Sequence, residues 1–254
     1  MGLEVQSLQR TFDILEVVAN SVLPVSLKYI TDETGLPKST VYRLLSNLEK
    51  RDYVKCDSNG SYRLGIQLLM MSQRAEQNFD IKNLARKYLV HMNEVTKETV
   101  HLGILVKNRV LYVDTVESPH ALRLVAKLGT TNAVHCTALG KALLVEHDEA
   151  QIRELLAVDE MERRTEYTLC TAEDYLAEIA KVRRLGYALD DCESELDGRC
   201  IAAPIYDNAN QVAAAISISG LASRFSKEHI EKEVARVLLE STREISKALG
   251  YSGM

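Results

Sequence analysis

The apolar positions between residues 26 and 64 predict a helix-turn-helix followed by a small hairpin. Leu27 and Ile30 give a first short helix an apolar side, and Gly35-Leu36-Pro37 then allows a sharp turn and presets the start of a second helix. In the second helix the apolar residues recur at the i, i+3, i+4, i+7 spacing of one buried stripe, and they are Val41, Leu44, Leu45 and Leu48. The opposite face is polar, as expected of a helix that enters the major groove of duplex DNA.

The flanking segments predict a third helix and a wing. Upstream, a helix would complete a three-helix core with the apolar residues Leu8, Phe12, Leu15, Val18 and Ala19. Downstream, residues 53–55 and 62–64 have the pattern of two short strands around an Asn59-Gly60 turn, which is a strong hairpin signal. Lys55 and Arg63 flank this turn, where they either rest on phosphate groups or are ordinary solvent-facing charges.

The candidate contacts to DNA are Lys38, Ser39, Thr40, Tyr42, Arg43 and Arg63. The alternative is a structural one, because short helical hairpins with a glycine in the turn also occur in proteins that never bind nucleic acid. The hairpin that follows the second helix favours the DNA-binding interpretation.

The remaining pattern predicts a mixed domain behind a helical connector. A helix is expected over residues 81–97, followed by two strands, 99–106 and 110–116, that meet in a tight turn. Asp148 and Thr171 are expected to cap two helices, and Gly186 to end the second. Further strands are expected at residues 187–190, 200–206 and 211–219, and a closing helix from Ser226 to about Leu249. The predicted domains are therefore residues 1–66, a connector over 67–80, and residues 81–254.

Charge makes bulk electrostatic attraction to DNA an insufficient explanation of binding. The chain of 254 residues has a net charge of −5, and residues 1–74 carry nine basic against eight acidic side chains. Proteins that bind DNA without sequence preference are far more basic than this. The sequence therefore predicts several copies acting on one double-stranded, pseudo-palindromic site, which requires a dimer or a higher oligomer.

Composition is that of an ordinary soluble protein. No run approaches the about 20 apolar residues that a membrane span needs, and charged residues interrupt any signal-like apolar start, so we expect a cytoplasmic protein without membrane contact. The five cysteines show no C-x-x-C pairing, so we expect reduced thiols and predict neither a structural metal nor a cofactor.

Several motifs, in this order and spacing, resemble the IclR family of bacterial transcription regulators over nearly the whole chain. They are SLQRTFDILEVV from Ser7, GLPKSTVYRLLSNLEKRDYV from Gly35, YRLG from Tyr62, VHCTALGKALL from Val134, GYALDDCESELDGRCIAAPIYD from Gly186 and AAISISG from Ala214. The resemblance implies an α+β fold class, in which a winged helix-turn-helix domain is joined by a helical connector to a GAF-like α/β effector-binding domain. It also implies no catalytic role, dimers that can pair into tetramers, and small carboxylates or aromatic acids as effectors.

The resemblance places the effector pocket at Ala138, Leu139, Asp190, Cys200, Ser217 and Ser219. Two physical arguments agree with it. Backbone N–H groups at the start of a helix, here at Ala138 and Leu139, favour a carboxylate. Ser217 and Ser219 lie two apart, so on a strand both hydroxyls point to one face. The implied function is control of operator affinity by the effector, more as a repressor than as an activator; the sequence names neither the operator nor the effector.

Each pocket residue has a plain structural alternative, and the domain has an enzymatic one. Serines that alternate with isoleucines also occur on half-exposed strands, Cys200 can be a small buried apolar side chain, and Asp191 can take the role of Asp190. His135-Cys136, with His101, Asp190 and Cys200, can be imagined as a thiol nucleophile with its base or as a zinc site. Neither has diagnostic spacing, and adjacent residues on a strand face opposite sides, so we expect no enzyme.

Overall fold

The structure is a computed structural model that describes residues 5–77 and 80–253, and the chain divides into two compact units, residues 1–79 and 80–254. The elements of the N-terminal unit are α1 (Gln6–Asn20), β1 (Val25–Ser26), α2 (Leu27–Thr34), α3 (Lys38–Glu49), β2 (Val54–Cys56), β3 (Ser61–Leu64) and α4 (Ile66–Gln77). The connector predicted over residues 67–80 thus falls on α4 and the start of the next helix, and its residues 78 and 79 lie outside the described residues.

Local signals define the helix-turn-helix. The Ser26 hydroxyl accepts a hydrogen bond from the Tyr29 N–H at 3.2 Å and so caps α2. Gly35 ends α2 in the left-handed region at φ +64°, which a glycine adopts without a Cβ clash. Pro37 precedes α3, whose buried stripe consists of Val41, Leu45 and Leu48, with Leu44 half-buried. The predicted helix-turn-helix is confirmed.

The apolar stripe predicted for α1 is only partly right. Ile14 and Val18 are the buried residues of this helix, whereas Leu8 and Phe12 are 55% and 54% exposed and Ala19 is also exposed. The three-helix core therefore uses the second half of α1, on a line shifted around the helix from the one expected. The cause is that α1 has more apolar residues than one face can hold, so periodicity alone does not single out the buried face.

The wing is a three-stranded antiparallel sheet of order β1-β3-β2. Its tip is fixed by Asp57, whose carboxylate accepts hydrogen bonds from the Asn59 and Ser61 N–H groups at 2.8 and 2.9 Å, and by Gly60 at φ +77°. The predicted hairpin is confirmed. Strand β1 was not predicted, because two residues are too short to show any period.

The C-terminal unit contains the remaining elements. They are α5 (Asp80–Thr96), β4 (Thr99–Val106), β5 (Arg109–Val116), β6 (Thr131–Ala133), α6 (Ala138–Leu143), α7 (Glu149–Leu156), α8 (Ala172–Leu185), β7 (Ala188–Asp191), β8 (Gly198–Tyr206), β9 (Val212–Leu221), α9 (Lys227–His229), a π-turn (Ile230–Val234) and α10 (Ala235–Ala248). The six strands form one antiparallel sheet of order β6-β5-β4-β9-β8-β7. The fold is therefore α+β, as expected.

Most predicted boundaries in this unit are confirmed. Asp148 forms a capping box with Gln151, Thr171 caps α8 through a hydrogen bond from the Asp174 N–H at 3.1 Å, and Gly186 ends α8 at φ +79°. Strand β6 and the π-turn were not predicted. The π-turn interrupts the closing helix that was expected to run unbroken from Ser226, whose hydroxyl does cap it.

The sheet separates two layers. One face packs on α5 and α10 through a continuous apolar core, to which β9 contributes Ile216 and Ile218 and β4 contributes Val100 and Leu102. The other face packs on α6, which lies beside α8. Of the helices in the described part of the chain, none has the length and hydropathy of a membrane span.

Candidate DNA-reading surface and effector pocket

The polar face of α3 presents the predicted DNA contacts to solvent. Lys38, Ser39, Tyr42 and Arg43 are exposed, and Thr40 is half-buried. Tyr42 is 58% exposed, so its ring and hydroxyl are open to a partner. The Asn47 amide donates a hydrogen bond to the Arg43 carbonyl oxygen at 2.8 Å, and the Arg43 side chain is exposed. This surface has the side chains that read base edges and phosphates.

The wing adds a second basic surface. Lys55 and Arg63 are exposed and stand directly opposite each other in the pairing of β2 with β3. Among the described residues neither forms an ion pair. Two like charges across from each other destabilise a sheet slightly, and an anion that lies against both removes that cost.

In the C-terminal unit the strand register brings the predicted pocket residues onto one face of the sheet, the face that α6 covers. The pairing runs from Asp190 on β7 to Cys200 on β8, Ser219 on β9 and Thr99 on β4, and we call these four residues the outer row. In the same way the inner row runs across the same strands through Ala188, Ala202, Ser217 and His101. Side chains that pair directly in an antiparallel sheet share a face, so the two rows form one floor.

The floor is buried, yet it is made of small and polar side chains. Ser217 and Ser219 are 3% and 5% exposed, and their neighbours Ile216 and Ile218 point into the opposite core, as the alternation predicted. The Ser217 hydroxyl has no hydrogen-bond partner within residues 5–77 and 80–253. This oxygen is not one of the fully enclosed side-chain atoms without a partner, so it is open to a water molecule or to a small polar ligand.

Helix α6 forms the wall above this floor. Thr137 caps it by accepting a hydrogen bond from the Gly140 N–H at 3.1 Å, and Ala138 and Leu139, both buried, form its first turn. Leu139 lies over Gly103 of β4, where a methyl group of Leu139 is 3.0 Å from the position that a Cβ would take. The start of α6 is thus close to the inner row, since Gly103 is the next residue on the same face after His101.

Asp190 closes the β7 end of the floor. It is 1% exposed, and its carboxylate accepts hydrogen bonds from the Glu193 N–H at 2.8 Å and from the Ser194 hydroxyl at 2.5 Å. Burial raises the pKa of Asp190, and these hydrogen bonds oppose that rise. The alternative residue, Asp191, points elsewhere and pairs with Arg199 and Lys227.

A buried ion pair supports the same loop. The Lys141 ammonium, on α6, is completely buried and donates to the Glu193 carboxylate at 2.5 Å and to the Leu189 carbonyl oxygen at 2.6 Å. Burial raises the pKa of Glu193, and the Lys141 charge lowers it. Since the N–H of Glu193 also donates to Asp190, Lys141 links α6 to the β7 end of the floor.

The residues of the enzymatic alternative do not form a catalytic site. His135 and Cys136 lie in a turn and not on the strand that the sequence argument assumed, because β6 ends at Ala133. The His135 ring bonds to the Glu162 carbonyl oxygen at 3.0 Å, and burial raises the pKa of Cys136 to about 11. Such a thiol is not activated as a nucleophile. In the described part of the chain no three His, Cys, Asp or Glu side chains are grouped as metal ligands.

Sequence reasoning did not place Thr99, Lys141 or Glu193 in this region, and it grouped His101 with Asp190 and Cys200 only in the enzymatic alternative. The sequence predicted a strand over residues 99–106, but it did not show which strand would lie beside Ser217 and Ser219. That neighbour is β4, which pairs with a strand more than a hundred residues further along the chain.

A winged helix-turn-helix unit in the same chain as an α+β domain is typical of a class of protein, the DNA-binding transcription regulators. Comparison with known proteins agrees. The IclR helix-turn-helix model matches residues 7–58, and the model of the bacterial transcriptional regulator IclR C-terminal domain matches residues 73–247. The chain belongs to the IclR family of DNA-binding transcription regulators, which are not enzymes.

Individual proteins show the same likeness. The HTH-type transcriptional regulator KdgR of Escherichia coli K12 is 33% identical over 248 residues, which cover 97% of this chain and 94% of that protein. The transcriptional repressor IclR of the same organism is 30% identical and covers 99% of this chain and 92% of its own. An IclR homologue from Microbacterium hydrocarbonoxydans, solved with 4-hydroxybenzoate, has the same fold, with a TM-score of 0.85, 21% identity and coverage of 96% and 98%.

Proposed function

We propose that this regulator represses its target promoter as a dimer or tetramer, and that a small carboxylate or aromatic acid bound in the C-terminal unit changes its affinity for the operator. The observation that supports the proposal is the buried floor between the sheet and α6, on which the Ser217 hydroxyl and one ring nitrogen of His101 have no hydrogen-bond partner among the described residues. Relatives named as repressors and a homologue solved with an aromatic acid support the direction and the ligand class.

The proposed contacts follow from the geometry. Lys38, Ser39, Thr40, Tyr42 and Arg43 of α3 would lie in or beside the major groove, and Arg63 of the wing on the adjacent backbone. In the effector pocket Ala138 and Leu139 would contribute main-chain N–H groups, and Asp190, Cys200, Ser217 and Ser219 would contribute side chains. Two N-terminal units would read the halves of a pseudo-palindrome.

The effector can change operator affinity only as far as it binds the DNA-competent and DNA-incompetent arrangements differently. A tenfold change in affinity needs about 1.4 kcal/mol of differential binding. A single carboxylate that satisfies a few buried donors is sufficient for that difference.

The test is a gel shift and footprint on the DNA upstream of this protein's own coding region, with and without a panel of small carboxylates and aromatic acids. We expect protection of a two-fold-symmetric site and release or tightening by one of the acids. Sedimentation of the protein–DNA complex would count the protomers. Absence of specific binding at low salt across the neighbouring intergenic DNA would refute the proposal.

The substitution Arg43→Ala should weaken operator binding by about 1–3 kcal/mol, because it removes an exposed guanidinium that is free to contact a base or a phosphate. Titration of a labelled operator measures the loss. The control is Arg236→Ala, which removes the same charge from an exposed position on α10 of the other unit. Equal operator affinities for the two variants would show that Arg43 is not a DNA contact.

Replacing Ser217 and Ser219 together with alanine should reduce the response to the effector at least about tenfold while operator binding without effector persists. The reason is that both hydroxyls stand on the floor and neither lies in the DNA-binding unit. Ser223→Ala, an exposed position just after β9, serves as the control. A normal effector response in the double variant would move the pocket floor elsewhere.

A further inference from the structure

The floor of the proposed pocket carries one ionisable ring, His101, to which neither the motif resemblance nor the named relatives assign a role. It lies on β4 at the end of the inner row and is 4% exposed. Its strand neighbours on the same face are Ser217 on β9 and Thr115 on β5. The other residues of the inner row, Ser217, Ala202 and Ala188, are all small, so the His101 ring is its largest side chain. His101 lies at the β4 end of the floor, and Asp190 of the outer row lies at the β7 end.

The ring is held by one nitrogen and has the other available. Its Nδ1 is 3.0 Å from the Thr115 hydroxyl, and the Tyr112 ring packs edge-on against it with centroids 5.3 Å apart. The Nε2 atom makes no hydrogen bond within residues 5–77 and 80–253. An imidazole fixed in this way has one hydrogen-bonding atom left for a ligand.

A carboxylate bound on this floor is stabilised by a positive charge in addition to the N–H groups at the start of α6. The two rows contain no basic side chain besides His101. The nearby ammonium of Lys141 is engaged by Glu193 and by the Leu189 carbonyl oxygen. Asp190, at the far end, would repel a carboxylate, and a buried carboxylate without a counter-charge is strongly unfavourable.

We propose, on the basis of the proposed function, that His101 is an effector-binding residue and that its ring takes up a proton when an anionic effector binds. The free pocket then holds a neutral imidazole, and the bound pocket holds an imidazolium beside the carboxylate. The proton comes from solvent and goes to the ring nitrogen that is unprotonated in the free pocket. The floor thereby orients the effector, with its carboxylate at the His101 end and its neutral groups toward Asp190.

The charged and titratable groups around His101 agree with this assignment. From β5 and the residue that follows it, the ring faces the neutral phenol of Tyr112 and the carboxylate of Glu117; Glu117 raises the pKa of His101 but is itself paired with Arg123. From β9 it faces Ser217, and along the outer row the titratable groups are Cys200 and Asp190. Burial lowers the pKa of His101 to about 4, so the ring is neutral at pH 7 until an anion arrives.

Isothermal titration of the full-length protein tests the proposal, with pyruvate, D-gluconate and 4-hydroxybenzoate as probe acids. The heats are compared at pH 7 in two buffers of different ionisation enthalpy. We expect the wild-type protein to take up about one proton per acid bound, because a histidine pKa raised through 7 requires it. Its affinity for the acid should fall up to about tenfold for each pH unit above the pKa of the complex.

The variant His101→Gln keeps a neutral hydrogen-bonding group and cannot become charged, so it should bind the acid without proton uptake and without that pH dependence. His147→Gln is the matched control, since His147 is also partly buried with a lowered pKa but lies outside the floor. The wild-type measurement involves no substitution and stands even if His101→Gln does not fold.

The outcomes separate this inference from the proposed function. An acid that binds wild-type protein and alters operator binding without proton uptake, or with the same uptake in His101→Gln, overturns the role of His101 and leaves the proposed function intact. If none of the three acids binds protein that still protects its operator, the acid-effector part of the proposed function fails and this inference fails with it.

Discussion

Replacing Lys141 with methionine is expected to destabilise the C-terminal unit by about 3–5 kcal/mol, the usual cost of removing one partner from a buried ion pair. The ammonium is completely buried, and its loss leaves the Glu193 carboxylate, which is 7% exposed, without its counter-charge. One Glu193 oxygen already has no hydrogen-bond partner, and the other would keep only a long bond of 3.5 Å from the Asp191 N–H, which does not replace the lost charge. Urea unfolding followed by circular dichroism measures the change.

The sign of the pH dependence distinguishes this cause from a general packing defect. In the variant the pKa of Glu193 rises further above its usual range, because burial then acts without the Lys141 charge. A carboxyl group whose folded-state pKa is raised contributes stability below its unfolded pKa and loses it as the pH rises. Lys141→Met should therefore be closest to wild type near pH 5 and worst near pH 8.

A double variant provides the control. Lys141→Met together with Glu193→Gln removes the orphaned charge, so it should recover a large part of the stability lost in the single variant. If the single variant loses less than about 1 kcal/mol of unfolding free energy, or if the double variant is no more stable than the single one, the buried pair does not stabilise the unit as proposed. Effector binding should also weaken in the single variant, because Glu193 positions Asp190.

Local signals in the sequence were sufficient for much of the fold. The hairpin between β4 and β5, the caps at Asp148 and Thr171 and the glycine stops at Gly35 and Gly186 each depend on a few neighbouring residues, and each is present. The failures are of a different kind. The buried face of α1 and the strand β6 depend on which other elements pack against them, which short-range periodicity does not encode.

The candidate site shows the same division. The two-residue spacing of Ser217 and Ser219 predicted a shared face, and the register confirms that they have one. His101 pairs with Ser217 because β4 pairs with β9, and Lys141 contacts Glu193 because α6 packs against the sheet near β7. Such long-range pairs depend on the global topology, so a single sequence without an alignment cannot identify them.

Gly140→Ala is expected to destabilise the C-terminal unit by about 3 kcal/mol or more, at the upper end of what overpacking costs. A Cβ at this position would stand 2.2 Å from the Val134 carbonyl oxygen and 2.4 Å from the Val134 Cα. Both are backbone atoms, so no side-chain rotation relieves the clash. Inside a helix alanine normally exceeds glycine in stability by about 1 kcal/mol, so a loss here has the opposite sign to helix propensity.

The control is Gly129→Ala, where φ is +77° and no atom lies within 4 Å of the added Cβ, so backbone strain acts there without a clash. Urea unfolding should show a clearly larger loss for Gly140→Ala than for Gly129→Ala, and similar losses would mean that the turn before α6 yields easily.

The same clash has a functional consequence. The Val134 carbonyl oxygen accepts a hydrogen bond from the Tyr175 hydroxyl at 3.3 Å, so we expect the clash to move mainly the start of α6, where Ala138 and Leu139 form the wall of the proposed pocket. Protein that remains folded should therefore lose effector binding while it keeps operator binding, because Gly140 acts on the wall of the pocket and α3 lies in the other unit.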